Sequence, residues 1–245
     1  MLLISLIMIL FLNLPLEILQ YIFNKLKFKK QMILKQQCKC LYEGLRIYDL
    51  DNIKIIYLVK LNDDILKKFQ YIKYLNAHFS KNITNEGIKH LNLHYLNAKD
   101  NIKITDDGIK HMNLHILNAS NNTNITDNSI KFMKYLNILY ASNNENITDN
   151  GIKHLKLRIL DASDNNKITN EGIKNMMLQG LNITNNNEIT DIGIKHMNLI
   201  VLNASYSKVT NEGIKHMKLH TLYASGNLNI TNEGVKHLNL YEFKN

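Results

Sequence analysis

Six histidines return at intervals of 20–21 or 42–43 residues, His90, His111, His154, His196, His216 and His237, each directly after a lysine. Imidazole is the commonest side-chain metal ligand and the usual general base near neutral pH, so their spacing decides whether chemistry is available. A metal needs ligands converging on one point. Histidines that recur once per repeat on successive elements, with no Cys or carboxylate at ligand spacing, do not converge. The two cysteines, Cys38 and Cys40, are one residue apart, which matches neither a structural zinc pair nor a disulfide framework and fits a reducing compartment. No Ser-His-Asp or Cys-His arrangement and no phosphate-cradling Gly-rich loop is present. The expectation is therefore a protein that is not an enzyme and takes no metal and no cofactor. The sequons at Asn82, Asn118, Asn124, Asn146, Asn182, Asn203 and Asn229 arise because N-I-T and N-A-S belong to a repeated pattern.

That pattern positions everything else. From Ile83 the chain reads ITNEGIKHLNLHYLNAKDNIK, then ITDDGIKHMNLHILNASNNTN, and so on. Equivalent residues are Leu61, Ile83, Ile104, Ile125, Ile147, Ile168, Ile189, Val209 and Ile230, spaced by 20 to 22 residues. A unit this short cannot bury its own apolar side chains, so stacked neighbours must supply the core and a solenoid follows. Within a unit, Leu114-x-x-Leu117-x-Ala119 alternates as a strand does, whereas Ile130 and Met133 are three apart, as on a helix stripe. Each unit is read as strand, turn, helix. Thr84, Thr105, Thr126, Thr148, Thr169, Thr190, Thr210 and Thr231 stand where an N-cap is wanted. The glycines at 87, 108, 151, 172, 193, 213 and 234 precede the buried Ile or Val and allow close packing on the neighbouring unit.

The motif L-x-x-L-x-A-x-x-N-x-x-I-T-[DN]-x-G-I resembles a leucine-rich repeat, specifically the cysteine-containing subtype with Asn at the position Cys often holds. The resemblance implies an α/β solenoid of nine units over 61–245, with Asn101, Asn122, Asn144, Asn165, Asn186 and Asn227 forming a buried ladder. Ser207, in a unit one residue short, should interrupt it.

Residues 14–26, LPLEILQYIFNKL, form an amphipathic pattern entered through Leu-Pro. They resemble the first helix of an F-box, and Leu34, Cys38, Lys39 and Tyr42 fall where that family shows a further motif; Gln37 and the missing tryptophan depart from it. The resemblance implies a small α-helical module over 14–60 that docks the Skp-family adaptor of a cullin complex through Leu14, Pro15, Ile18, Leu19, Ile22 and Phe23. Residues 1–13 are an apolar leader of unassigned role, too short to span a membrane.

The net charge of +9 divides unevenly: nine basic and four acidic residues precede position 61, against 21 and 17 after it. The array is nearly balanced, and its helix lysines follow an acid three or four residues earlier, as Glu86 before Lys89 or Asp127 before Lys131, a spacing expected to give weak surface ion pairs and a solvated face rather than a nucleic-acid surface. Partner binding is expected on the sheet. One outward column runs Tyr74, Tyr95, Ile116, Ile138, Ile159, Gly180, Val201, Thr221, and a second runs Asn76, Asn97, Asn118, Tyr140, Asp161, Asn182, Asn203, Tyr223. The expected concave patch is Tyr74, Tyr95, Ile116, Ile138, Tyr140, Ile159 and Asp161. The strand Leu240–Phe243, with no helix after it, offers an uncapped edge for self-association. The function expected is that of an intracellular substrate-recognition subunit of a ubiquitin ligase, in cytoplasm or nucleus. The competing reading is a protein-interaction scaffold whose N-terminal helices only cap the solenoid.

Overall fold

Alternation at each strand turns one leucine inward between two outward neighbours, and the repeat stacks these leucines in register. The structure is a computed structural model that describes residues 61–244 together with residues 20, 21, 24, 25, 30, 31, 49 and 50. The six adaptor-docking residues Leu14, Pro15, Ile18, Leu19, Ile22 and Phe23 lie outside the described residues. Gln20, Tyr21 and Asn24 are helical, at positions within the expected helix over 14–26.

The described strands are β1 (Asp49–Leu50), β2 (Tyr74–Asn76), β3 (Tyr95–Asn97), β4 (Ile116–Asn118), β5 (Ile138–Tyr140), β6 (Ile159–Asp161), β7 (Gly180–Asn182), β8 (Val201–Asn203), β9 (Thr221–Tyr223) and β10 (Glu242–Lys244). They form one parallel sheet in chain order. Its first described strand precedes Leu61, so the sheet reaches back into the range assigned above to the helical module. The last strand lies two residues later than the expected Leu240 start. Between strands run one-turn helices: α1 (Asp63–Leu66), α2 (Asn85–Ile88), α3 (Asp106–Ile109), α4 (Asp127–Ile130), α5 (Asp149–Ile152), α6 (Asn170–Ile173), α7 (Asp191–Ile194), α8 (Asn211–Ile214) and α9 (Asn232–Val235). This is the leucine-rich-repeat solenoid the period implies.

Each repeat contributes the same buried set, for example Ile104, Ile109, Met112, Leu114, Leu117 and Ala119, and these join into one continuous core. The asparagine ladder forms. Asn144 Nδ2 donates to the carbonyls of Ala119 (3.0 Å), Asn122 (2.6 Å) and Ile125 (3.1 Å), while its Oδ1 accepts from Asn146 N at 3.2 Å. Asn122, Asn165 and Asn186 repeat the arrangement. At the short unit Ser207 Oγ donates to Ala204 O of its own turn at 2.8 Å, so the chain of inter-unit amide bonds stops there and resumes at Asn227, which reaches Ala204 O and Val209 O.

A second set of bonds links the helices. The first helical residue of each unit, Asp or Asn, accepts from the threonine N–H of the next; Asp127 Oδ1 takes Thr148 N at 2.8 Å and its Oδ2 takes Thr148 Oγ1 at 2.6 Å. This corrects two expectations. The carboxylates of Asp127, Asp149 and Asp191 serve the next threonine, and no ion pair to Lys131, Lys153 or Lys195 forms among the described residues. Pairs form at three-residue spacing instead, as in Lys89 with Glu86 at 2.5 Å and Lys110 with Asp107 at 2.7 Å. Thr105 and Thr190 do not cap through their side chains. Both follow a unit whose first helical residue is Asn, and the amides of Asn85 and Asn170 donate to these hydroxyls; Thr231 also receives an Asn amide, from Asn211, and accepts only the later Gly234 N–H, at 3.2 Å. Where that residue is Asp, the hydroxyl donates to the carboxylate and still accepts the N2 amide, as at Thr84, Thr126, Thr148, Thr169 and Thr210.

The same residues explain the glycines. A Cβ on Gly151 would lie 3.0 Å from Asp127 Cγ and 3.2 Å from its Cα. Ser129 alone carries a side chain at this position in the repeats from Gly87 to Gly234, and it bonds Asp106 Oδ1 at 2.5 Å.

Candidate functional site

The outward face of the sheet holds the residues expected to bind a partner. Parallel pairing aligns Tyr74 with Tyr95, Tyr95 with Ile116, Ile116 with Ile138 and Ile138 with Ile159, so these five form one continuous row at strand spacing, about 4.8 Å. All are at least partly exposed, Tyr74 by 44% and Ile159 by 37%. Tyr140 and Asp161 adjoin in the second row. The fold thus places the expected patch on one surface.

The asparagine row has a structural duty that the strand pattern did not indicate. Asn76, Asn97, Asn118, Asn182 and Asn203 each accept, through Oδ1, the N–H two residues on, at 3.0–3.1 Å. Asp161 does the same with Ser163 N (3.0 Å) and takes Ser163 Oγ at 2.6 Å. These bonds are Asx turns that end each strand. They also fix the side chains, so each amide nitrogen remains as an outward donor.

Directly after this turn stands a column with positive φ: Phe79, Asp100, Asn121, Asn143, Asp164, Asn185, Tyr206 and Gly226, at 51–68°. Asn and Asp tolerate this left-handed conformation better than other side chains. Their amides and carboxylates also bridge units, as Asn121 Nδ2 to Asp100 Oδ1 (2.9 Å) and Asn143 Nδ2 to Asn121 Oδ1 (2.8 Å).

A third outward row precedes the strands and was not anticipated. His94 and His115 meet edge to face at 5.0 Å, with Tyr74 6.5 Å from His94 and Tyr135 6.1 Å from His115. Burial, then the Lys73 and His115 charges, holds His94 below the usual imidazole range. Farther along, Arg158 Nη2 donates to Gln179 Oε1 at 2.8 Å. The signal for this row lay in the sequence as the residue before each member of the first outward row, but those positions mix Lys, His, Asn, Arg, Gln and Ile and show no single type to follow.

The helix-side histidines are exposed. His154 Nε2 is 2.6 Å from Lys131 O, and among the described residues no cluster of three His, Cys, Asp or Glu side chains is arranged to hold a metal. Among the described residues no helix is long and apolar enough to cross a membrane. At the C-terminal strand, Tyr223 Oη donates to Glu242 at 2.7 Å, Lys244 pairs with Glu242 at 2.7 Å, and Tyr241 is 94% exposed.

No family model matches the chain, and no curated protein matches it. A search of solved structures finds similarity to a chain in the crystal structure of the Rad7 and Elc1 complex in yeast, at 19% identity and a TM-score of 0.59. The alignment covers 91% of this chain and 67% of that one. The likeness is one of fold.

Proposed function

We propose that this chain is the non-catalytic recognition subunit of a cullin-RING ubiquitin ligase. Its N-terminal segment docks a Skp-family adaptor through Leu14, Pro15, Ile18, Leu19, Ile22 and Phe23, and the outward sheet face holds a protein substrate. The observation that carries the reading is the order of parts: an F-box-like segment stands directly before a repeat array whose sheet presents one unbroken row of aromatic and branched apolar side chains from Tyr74 to Ile159. Exposed apolar rows of this kind mark protein-binding surfaces. Further support comes from the similar solved structure, which was determined as a complex of Rad7 with Elc1. The proposed setting is the cytoplasm or nucleus.

One observation favours the scaffold reading instead. Strand β1 continues the sheet into the N-terminal range, as a segment that only caps the array would do. Co-purification with a Skp-family adaptor separates the two. Ligase function predicts capture of the adaptor by the full chain and its loss in Ile18→Asp and Phe23→Asp, with the melting temperature of the array unchanged. Absence of capture, or capture indifferent to both substitutions, sinks the ligase reading.

A further inference from the structure

The first outward row is aromatic or branched from Tyr74 to Val201 with a single gap, at Gly180. Packing does not demand this glycine. A Cβ there would lie 3.5 Å from Ile159 Cγ1 and 3.7 Å from Cγ2, ordinary contact distances, whereas the helix glycines sit against the preceding unit's Asp or Asn. The missing side chain opens a depression of about 500 Å³ on the sheet face. Its apolar walls are Ile159, Ile200 and Val201, the last two each 40% exposed, and Tyr140 and Tyr223 border it on the second-row side.

The rim has a definite polarity. Arg158 reaches Gln179 and forms no ion pair among the described residues. Asn182 and Asn203 commit Oδ1 to their turns, which leaves their amide N–H groups facing outward without an acceptor among the described residues. Asp161 is the one carboxylate in the lining, and its Oδ1 already takes two bonds from Ser163. The surround is therefore a cation and two amide donors against one partly satisfied acid, and acceptors are what such a rim recognises.

We propose that the Gly180 notch is an anchor pocket for an extended acidic segment of a partner protein. One aliphatic side chain of that segment fills the gap between Ile159 and Val201, a neighbouring carboxylate pairs with Arg158, and main-chain carbonyls accept from Asn182 and Asn203. The inference rests on the reading of the outward sheet face as a protein-binding surface, and it names the chemistry of the bound segment.

The test selects a phage-displayed library of random peptides on the full chain, then measures the enriched peptides by fluorescence anisotropy against variants. Gly180→Val fills the notch with a residue the row already accepts, and Gly180→Ala is a smaller second filling that keeps the test valid should valine perturb the fold. The expected peptides carry an aliphatic residue beside Asp or Glu. Their affinity falls at least about tenfold in Gly180→Val, the loss that follows when one aliphatic side chain is denied burial. Arg158→Glu weakens them similarly, and Lys110→Ala, on the exposed helix side, leaves them unchanged. Peptides lost in Tyr74→Ser but not in the Gly180 variants overturn the notch and keep the sheet-face reading. Basic peptides overturn the proposed chemistry. Peptides indifferent to every sheet variant, or no enrichment at all, overturn both.

Discussion

Asn144 is fully buried, and its amide is the sole donor to Ile125 O among the described residues, while its Oδ1 holds Asn146 N. Asn144→Ala strands both groups and leaves a small void, so about 2–4 kcal/mol of stability should disappear in urea unfolding. Ser80 supplies the control: its Oγ is buried with no partner, and Ser80→Ala should be neutral or stabilising by the same measurement. The threonine caps respond to a single atom. Asn170→Asp exchanges an amide donor for a carboxylate acceptor, frees Thr190 Oγ1 to cap its helix, and should raise the unfolding midpoint by an amount corresponding to about 0.5–1 kcal/mol. His94 adds a pH term. Its folded pKa is depressed, so the unfolded chain binds the proton more readily and stability falls as pH drops through the ordinary histidine range; His94→Gln should flatten that part of a pH–melting curve. At this scale sequence reasoning recovered the buried ladder, whose period is plain. It did not separate the four uses of asparagine, because ladder, strand-end turn, left-handed turn and helix start all select the same short amide, and only the bonding partners tell them apart.

Helices of four residues cannot hold themselves, since nucleation costs more than one turn returns. They are held from outside, by the Asp or Asn of the unit before and by the isoleucines beneath. The glycine in α2, α3 and α5 to α9 is what lets that acidic or amide side chain lie across the helix. Gly151→Ala drives a methyl group into Asp127 and should cost about 1–3 kcal/mol, whereas Gly151→Ser should cost less, because Ser129 shows that a hydroxyl at this position can bond the neighbouring Asp; chemical denaturation of both variants gives the comparison. The threonines and glycines were visible in the sequence as caps and close approaches. What escaped was that one Asp joins both roles across the unit boundary, a relation between residues 21 apart that local pattern rules for helix ends do not consider. The same blindness assigned Asp127, Asp149 and Asp191 to lysines one turn away.

Contacts between elements run from each strand to the next strand and from each helix to the next helix. Period and alternation make this architecture legible in the sequence, and with it the outward rows, because side-chain direction in a strand follows from position alone. The gap at Gly180 was written in the same row but carried no meaning until its packing environment showed that a larger residue would fit. With contacts confined to neighbours, stability accumulates along the array as a sum of junctions, and the array opens first where a junction is poorest. Between Asn186 and Ser207 the amide bond that joins every preceding pair of ladder asparagines is absent. The molecule therefore has a preferred parting line between β7 and β8, with β8 and the units from Val209 onward behaving as a leaf that lifts while the rest stays closed. Native-state hydrogen exchange should find the amides of α8, β9 and α9 opening at a lower free energy than those of α3 to α6. Uniform protection on both sides of Ser207 would mean that the hydrophobic stack alone transmits cooperativity across the joint.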